Sequence, residues 1–143
     1  MAFEIKEMKA ADYDEVLALW QAAEGIGLHP DECDSREGVA RYLSRNPRLC
    51  FVARDAAELI GAVLCGTDGR RGYLNHLAVA EGYRRRGIGT ALVRRCLAAL
   101  KRMGIPKCNL FVFAANDAAM QFWRKLGWRA YDEFGVKAMT LEI

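Results

Sequence analysis

The sequence predicts an α/β (mixed α+β) fold: one domain over residues 1–143, with a mixed central sheet of about seven strands flanked by helices on both faces. Three observations predict it. Leu49–Ala53, Leu59–Cys65 and Tyr73–Val79 are β-rich runs separated only by short turn segments, the pattern of consecutive hairpins. A long amphipathic helix then divides Tyr73–Val79 from Lys107–Phe113, and a strand–helix–strand passage of that length is a crossover. Finally, 143 residues with 52% hydrophobic content supply one packed interior and leave no room for a second.

The elements follow in order. Phe3-Glu4-Ile5-Lys6 alternates apolar with polar and reads as a first strand. Asp12 is a candidate N-cap for a helix carried by Tyr13, Val16, Leu17, Trp20 and Ala23, which Gly25 and Gly27 end. After the loop His29-Pro30-Asp31, Ser35 caps a short second helix through Val39, Tyr42 and Leu43, stopped near Asn46-Pro47. The three β runs come next, turning at Asp55–Glu58 and Thr67–Gly72. The long helix extends from about Gly87 to Met103, with Ile88, Leu92, Cys96, Leu100 and Met103 as its apolar stripe. Gly104-Ile105-Pro106 stops it. Lys107–Phe113 is a fifth strand, Asn116–Leu126 a helix with Gly127 as its C-cap glycine, and Trp128–Tyr131 and Val136–Leu141 are two closing strands.

Composition narrows the function classes. A net charge of +3 is too mild to indicate a nucleic-acid partner without a localised patch. The cysteines number five, an odd count without CxxC spacing, which fits reduced, partly buried thiols better than disulfides. With only two histidines, His29 and His76, no metal site is expected. The first residues lack an apolar signal core and no stretch approaches membrane-spanning length, so the expectation is a cytoplasmic protein without a membrane partner.

The chemistry concentrates in Tyr83-Arg84-Arg85-Arg86-Gly87-Ile88-Gly89-Thr90, between a strand and a helix. Glycines at 87 and 89 let backbone approach a ligand closely. The first-turn N–H groups of the helix have no intrahelical acceptors and carry partial positive charge. A pyrophosphate suits that place, and three arginines beside it can neutralise further phosphate charge. The spacing is neither G-x-G-x-x-G nor a P-loop. A solvated basic turn is the plainer alternative.

Arg84-x-x-Gly87-x-Gly89 after Leu77-Ala78-Val79 resembles the acetyl-CoA site of the GNAT superfamily of N-acetyltransferases. A second segment agrees: Asn116, small residues, the aromatic pair Phe122-Trp123, then Lys125-Leu126-Gly127-Trp128. The resemblance covers essentially the whole chain. It implies acetyl-CoA as co-substrate and an amine acceptor, either a small molecule or a protein or peptide amine, and homodimers are common in such families. It further implies that Leu77, Ala78 and Val79 offer backbone groups to the pantetheine and the acetyl carbonyl. Arg84, Arg85, Arg86, Gly87, Ile88, Gly89 and Thr90 would cradle the pyrophosphate. Asn116 would hydrogen-bond the pantetheine, beyond any plain N-cap role, and Trp123 would lie at the coenzyme.

In such enzymes the amine attacks the thioester directly. Presenting a lysine-like amine neutral at pH 7 costs about 4.6 kcal/mol, which a base or a desolvating pocket must supply. Many relatives carry a glutamate base five residues before the Asn116 position and a tyrosine acid four residues before the Gly127 position. This chain has Phe111 and Trp123 there, and indole donates no proton in this pH range. His76 is the candidate catalytic base, against the alternative of a packed strand histidine. Strand alternation places Tyr73, Asn75 and Leu77 on one face and Leu74, His76 and Ala78 on the other. Glu24 and Asn75 are the candidate acceptor contacts; Asp31 and Glu32 share the loop that walls the acceptor site in the family, and solvated carboxylates are the plainer reading there. Trp20, Tyr42 and the Trp123/Trp128 pair read as core. The rival function is an acyl-CoA-binding or sensing module without catalysis. A nucleic-acid binder lacks the aromatic platforms it would need.

Overall fold

The computed structural model describes residues 2–143, which divide into two compact units, one ending at Phe111 and the other Val112–Ile143. The first unit holds a five-stranded sheet in the order β1-β2-β3-β4-β5: β1 (Glu4–Glu7), β2 (Phe51–Asp55), β3 (Glu58–Thr67), β4 (Gly72–Val79) and β5 (Cys108–Asn109). Neighbours from β1 to β4 are antiparallel, while β4 and β5 are parallel, so the sheet is mixed as expected. Helices α1 (Tyr13–Ala22), α2 (Arg36–Arg45) and α3 (Ile88–Arg102) complete the unit.

Opposite faces of the sheet carry α1 and α3, and adjacent β3 residues show it. Ala62 packs in the cluster formed by Tyr13, Val16, Trp20 and Val39 of α1 and α2. A Cβ added at the preceding Gly61 would instead lie 3.1 Å from Leu92 and 3.2 Å from Ile88 of α3. Glycine there lets the first turn of α3 sit close on the sheet. With helices on both sides, β3 is buried along nearly its whole length and reads as a continuous apolar run rather than an alternating one.

The caps follow the sequence in part. Ser35 Oγ accepts the Gly38 N–H at 3.0 Å, the expected N-cap of α2. Asp12 instead turns its carboxylate back to the Lys9 N–H, at 2.8 Å, within a short 3-10 turn before α1. On α3, Ile88, Leu92, Cys96 and Leu100 are buried as the periodicity predicts, but Met103, just past the last turn, is 55% exposed.

The second unit contains α4 (Asp117–Lys125) and a 3-10 turn at Tyr131–Phe134. The strand count differs from expectation: the described residues form five strands, not about seven. The fifth pairs only at Cys108 and Asn109 rather than over Lys107–Phe113, and neither Trp128–Tyr131 nor Val136–Leu141 forms a strand. Local turns take up part of that backbone instead. The Gly135 N–H donates to Asp132 O at 3.1 Å and the Val136 N–H to Tyr131 O at 3.2 Å, with Gly135 at φ 73°. The mixed α/β class is unchanged.

Candidate active site

Strand β4 leaves its partner early. β5 pairs with Gly72 and Tyr73 alone, so from Leu74 onward that edge of β4 has no ladder among the described residues. On its other edge β4 carries a bulge. Ala62 pairs with Ala78 and Leu64 with Asn75, so His76 and Leu77 together face the single residue Val63. His76 takes up the extra length in the left-handed region, at φ 54°. That conformation costs a residue with a Cβ about 1–2 kcal/mol, and the surroundings must hold it.

They do so from two directions. The Trp20 indole N–H donates to the His76 carbonyl at 2.9 Å, and the two rings meet edge to face with centroids 5.0 Å apart. His76 Nε2 lies 3.0 Å from both carboxylate oxygens of Asp34. Asp34 is 3% exposed, in the loop between α1 and α2. Its Oδ2 also accepts the His29 N–H at 2.8 Å, and the Tyr13 hydroxyl donates to its carbonyl at 2.7 Å. Burial works to raise the Asp34 pKa, but the hydrogen bonds from His76 and from the His29 backbone outweigh it and hold the carboxyl below its usual range.

The bulge also corrects the expected alternation. Asn75 and His76 both turn toward the α1–α2 side: Asn75 hydrogen-bonds the Tyr42 hydroxyl of α2, and His76 meets Trp20 of α1. Ala78 packs on that same side. Tyr42, Arg45, Asp68, Tyr73, Asn75 and Phe111 are among the residues lining a cavity of about 340 Å³. Glu24 is exposed in the loop after α1, as are Asp31 and Glu32.

Beyond Val79, the 3-10 turn Glu81–Tyr83 leads to the Arg/Gly segment. Gly87 is the N-cap of α3, at φ 82° and ψ 5°, and has no side chain to cap the helix. No heavy atom lies within 4 Å of a Cβ built there, so backbone conformation and not crowding calls for glycine. The first helical bond runs from the Ala91 N–H to Gly87 O, which leaves the N–H groups of Ile88, Gly89 and Thr90 without intrahelical acceptors. Arg85 is also left-handed, at φ 62°. Arg84 Nε donates to Val79 O at 3.1 Å, tying the turn to the end of β4, and the Arg86 guanidinium sits 5.5 Å from the Tyr83 ring centroid. The Tyr83 hydroxyl lies 3.1 Å from carboxylates of both Asp55 and Glu58, so the turn is braced against the β2–β3 hairpin.

The sequence matches the acetyltransferase (GNAT) family over residues 13–128. The chain belongs to the GNAT acetyltransferase family. An acetyltransferase of Sodalis glossinidius is 36% identical over 129 residues, covering 90% of this chain and 89% of that protein. Among solved structures, Ard1 of Thermoplasma volcanium shares the fold with a TM-score of 0.78 at 22% identity, covering 89% of this chain and 82% of its own. The PaiA N-acetyltransferase of Thermoplasma acidophilum, solved with coenzyme A, has a TM-score of 0.75 at 21% identity, covering 88% and 89%.

Within this GNAT chain the first unit brings together Asn75, His76, the Leu77–Val79 stretch and Arg84–Thr90. Asn116 and Trp123 lie in the second unit. Asn116 Oδ1 accepts the Ala119 N–H at 3.1 Å, an N-cap that leaves its amide nitrogen uncommitted to the cap. Trp123 is half-buried, edge to face with Phe122 at 5.0 Å and Trp128 at 5.2 Å. Among the described residues no group of three or more His, Cys, Asp or Glu side chains is placed to hold a metal, and no helix is long and apolar enough to cross a membrane. Asp34 escaped the sequence reading, which weighed only Asp31 and Glu32 in its loop. Its partner His76 is 42 residues away, and no periodic signal spans that distance.

Proposed function

We propose that the protein transfers the acetyl group of acetyl-CoA to an amine by direct attack in a ternary complex. The observation that supports this best is the open edge of β4 beyond Tyr73, leading to the uncapped N-terminus of α3. The pantetheine would pair along Leu77, Ala78 and Val79, as an added strand does. Its pyrophosphate would take the N–H groups of Ile88, Gly89 and Thr90, with Arg84, Arg85, Arg86 and Gly87 forming the turn around it. A left-handed Gly87 followed by right-handed helix turns successive N–H groups toward one side.

The amine nitrogen attacks the thioester carbon, and a β4 backbone N–H stabilises the oxyanion, worth about 3 kcal/mol in other enzymes. His76 accepts the amine proton. Coenzyme A then leaves as a thiolate, a fair leaving group because thiol pKa values lie near 8.5. Glu24 and Asn75 would meet the acceptor. The lines of support for the amine are a 34% identical N-acetyltransferase of Yersinia pestis and the imidazole of His76 on β4.

Free-thiol release from acetyl-CoA across a panel of primary amines tests the reading. Amine-dependent release is expected; coenzyme binding with no release for any amine would favour the sensing module. Gly89→Val places a branched side chain at the phosphate turn and is expected to weaken coenzyme binding tenfold or more, about the loss of one charge-assisted contact. Calorimetry on the folded variant checks it, and unchanged affinity would move the pyrophosphate elsewhere.

A further inference from the structure

We infer that Asp34 is a positioning residue for the transfer reaction: it fixes the His76 ring so that Nε2 carries the proton and Nδ1 receives the proton of the amine. The inference rests on the acetyl-transfer reading above and deepens it. Four observations carry it. Asp34 is 3% exposed, and His76 Nε2 stands 3.0 Å from each of its oxygens. The carboxylate can only accept hydrogen bonds, so the ring nitrogen facing it must be the protonated one. The neutral ring then has its lone pair at Nδ1, the atom able to act as a base. Finally, the ring has little freedom to turn over, since Trp20 packs against it and also holds the His76 carbonyl inside the β4 bulge.

Asp34 is itself held for this task. Its Oδ2 takes the His29 N–H at 2.8 Å, and its own carbonyl takes the Tyr13 hydroxyl at 2.7 Å, so helix α1 and the loop before α2 fix the carboxylate together. The other ionisable groups in that loop are the His29 ring, 3.8 Å from Glu32, and exposed Glu24, Asp31 and Cys33.

In the step, a C–N bond forms as the amine lone pair attacks the thioester carbon, and the carbonyl π pair moves to oxygen. The N–H proton passes to His76 Nδ1, giving an imidazolium whose charge the Asp34 carboxylate stabilises. The oxyanion pair then re-forms the carbonyl and the C–S bond breaks, its electron pair leaving on the coenzyme sulfur. The imidazolium returns its proton to that thiolate or to water, and the balance closes without another reactant.

Asp34→Asn tests the inference because it removes the charge and puts an N–H donor against the ring. With the amide oxygen opposite the His29 N–H, the NH₂ takes the Oδ1 place 3.0 Å from Nε2, where it favours an unprotonated Nε2 and shifts the ring proton toward Nδ1. The expected result is a fall in kcat of about 10²–10⁴-fold with unchanged coenzyme affinity. In a His76→Gln background the same substitution should cost no further rate, because Asp34 acts only through the ring. Nitrogen-15 shifts of the His76 ring in the wild-type protein are expected to report the Nε2–H tautomer, and in Asp34→Asn a ring population moved toward Nδ1–H. That measurement on the wild type stands even if the variant does not fold. An Nδ1–H wild-type ring, wild-type turnover in folded Asp34→Asn, or additive losses in the double variant would each overturn the role of Asp34 while leaving acetyl transfer intact. Absence of amine-dependent thiol release from the wild-type protein would instead overturn both.

Discussion

At the scale of the residue, a buried carboxylate has lost its water and must find donors in the protein. Asp34 finds the His76 ring and the His29 N–H, and together they lower its pKa despite the opposing effect of burial. The sign of the consequence follows. In the unfolded chain an aspartate titrates near 3.9. Since the folded value lies below that, the folded state binds fewer protons in this range, and Asp34 contributes stability above about pH 4 that is lost as pH falls through the folded value. Asp34→Asn keeps the size and part of the hydrogen bonding but not the charge. It is expected to destabilise the protein by roughly 1–3 kcal/mol at pH 7. Urea unfolding of both proteins from pH 7 down to pH 3 checks this: the gap between them should narrow below about pH 4. A gap that stays constant would mean that the charge of Asp34 contributes nothing to stability.

At the scale of the element, the β2–β3 hairpin shows the same economy of conformation. Asp55 pairs with Glu58, which leaves a two-residue loop of Ala56 and Ala57. Ala56 is at φ 52°, a region that glycine occupies freely and alanine does not. Ala56→Gly removes that strain but also frees the unfolded chain, so the net gain is expected to be about 0.5–1 kcal/mol, or about 1–4 °C in Tm. Thermal melts decide it, and a lower Tm would mean that unfolded-state entropy outweighs the strain. The elements also show which signals a sequence carries. Ser35, the α1 and α2 apolar faces and the stripe from Ile88 to Leu100 are local patterns, and all three helices of the first unit were legible from them. A strand depends on a neighbour, and that information is not local. Phe111 and Phe113 continue the β pattern of Cys108–Asn109, yet no ladder accompanies them among the described residues and they are 82% and 57% exposed. Met139 and Leu141 alternate with polar residues in the same way and remain 96% and 85% exposed. The His76 bulge was equally hidden, because nothing in Asn75-His76-Leu77 marks a non-glycine residue for the left-handed region. The phosphate turn was readable for the opposite reason: Gly87 announces its own backbone conformation.

At the scale of the whole molecule, the five thiols bear on whether the acetyl group rests on the protein during transfer. A two-step route needs a nucleophile that is both accessible and ionised. Cys50, Cys65 and Cys96 are buried in the core. Burial is the largest influence on Cys50 and pushes it up to about 12, and it does the same for half-buried Cys108. At pH 7 a thiol of that pKa is ionised to only about one part in 10⁵. Cys96 is raised as well, first by its hydrogen bond to Cys65 and then by burial. Cys33 is exposed, but partial burial of its sulfur and then the Asp34 charge raise its pKa, which keeps it a thiol. Its position next to Asp34 therefore works against nucleophilic use: the carboxylate that suits His76 for taking a proton disfavours a thiolate one residue away. That the thiols are unsuited to carry the acetyl group supports the proposed direct attack by the amine, which predicts intersecting initial-velocity lines when acetyl-CoA and amine are varied together. Incubation with radiolabelled acetyl-CoA in the absence of amine should leave no label on the denatured, washed protein. Cys33→Ser should change kcat by no more than about twofold, the range of an ordinary surface substitution. The three measurements answer one another. Parallel lines with label on Cys33, abolished in Cys33→Ser, would establish an acetyl-enzyme and remove the direct-attack mechanism. Label on Cys33 with intersecting lines and full activity in Cys33→Ser would instead be a side reaction of an exposed thiol, and would leave direct attack in place.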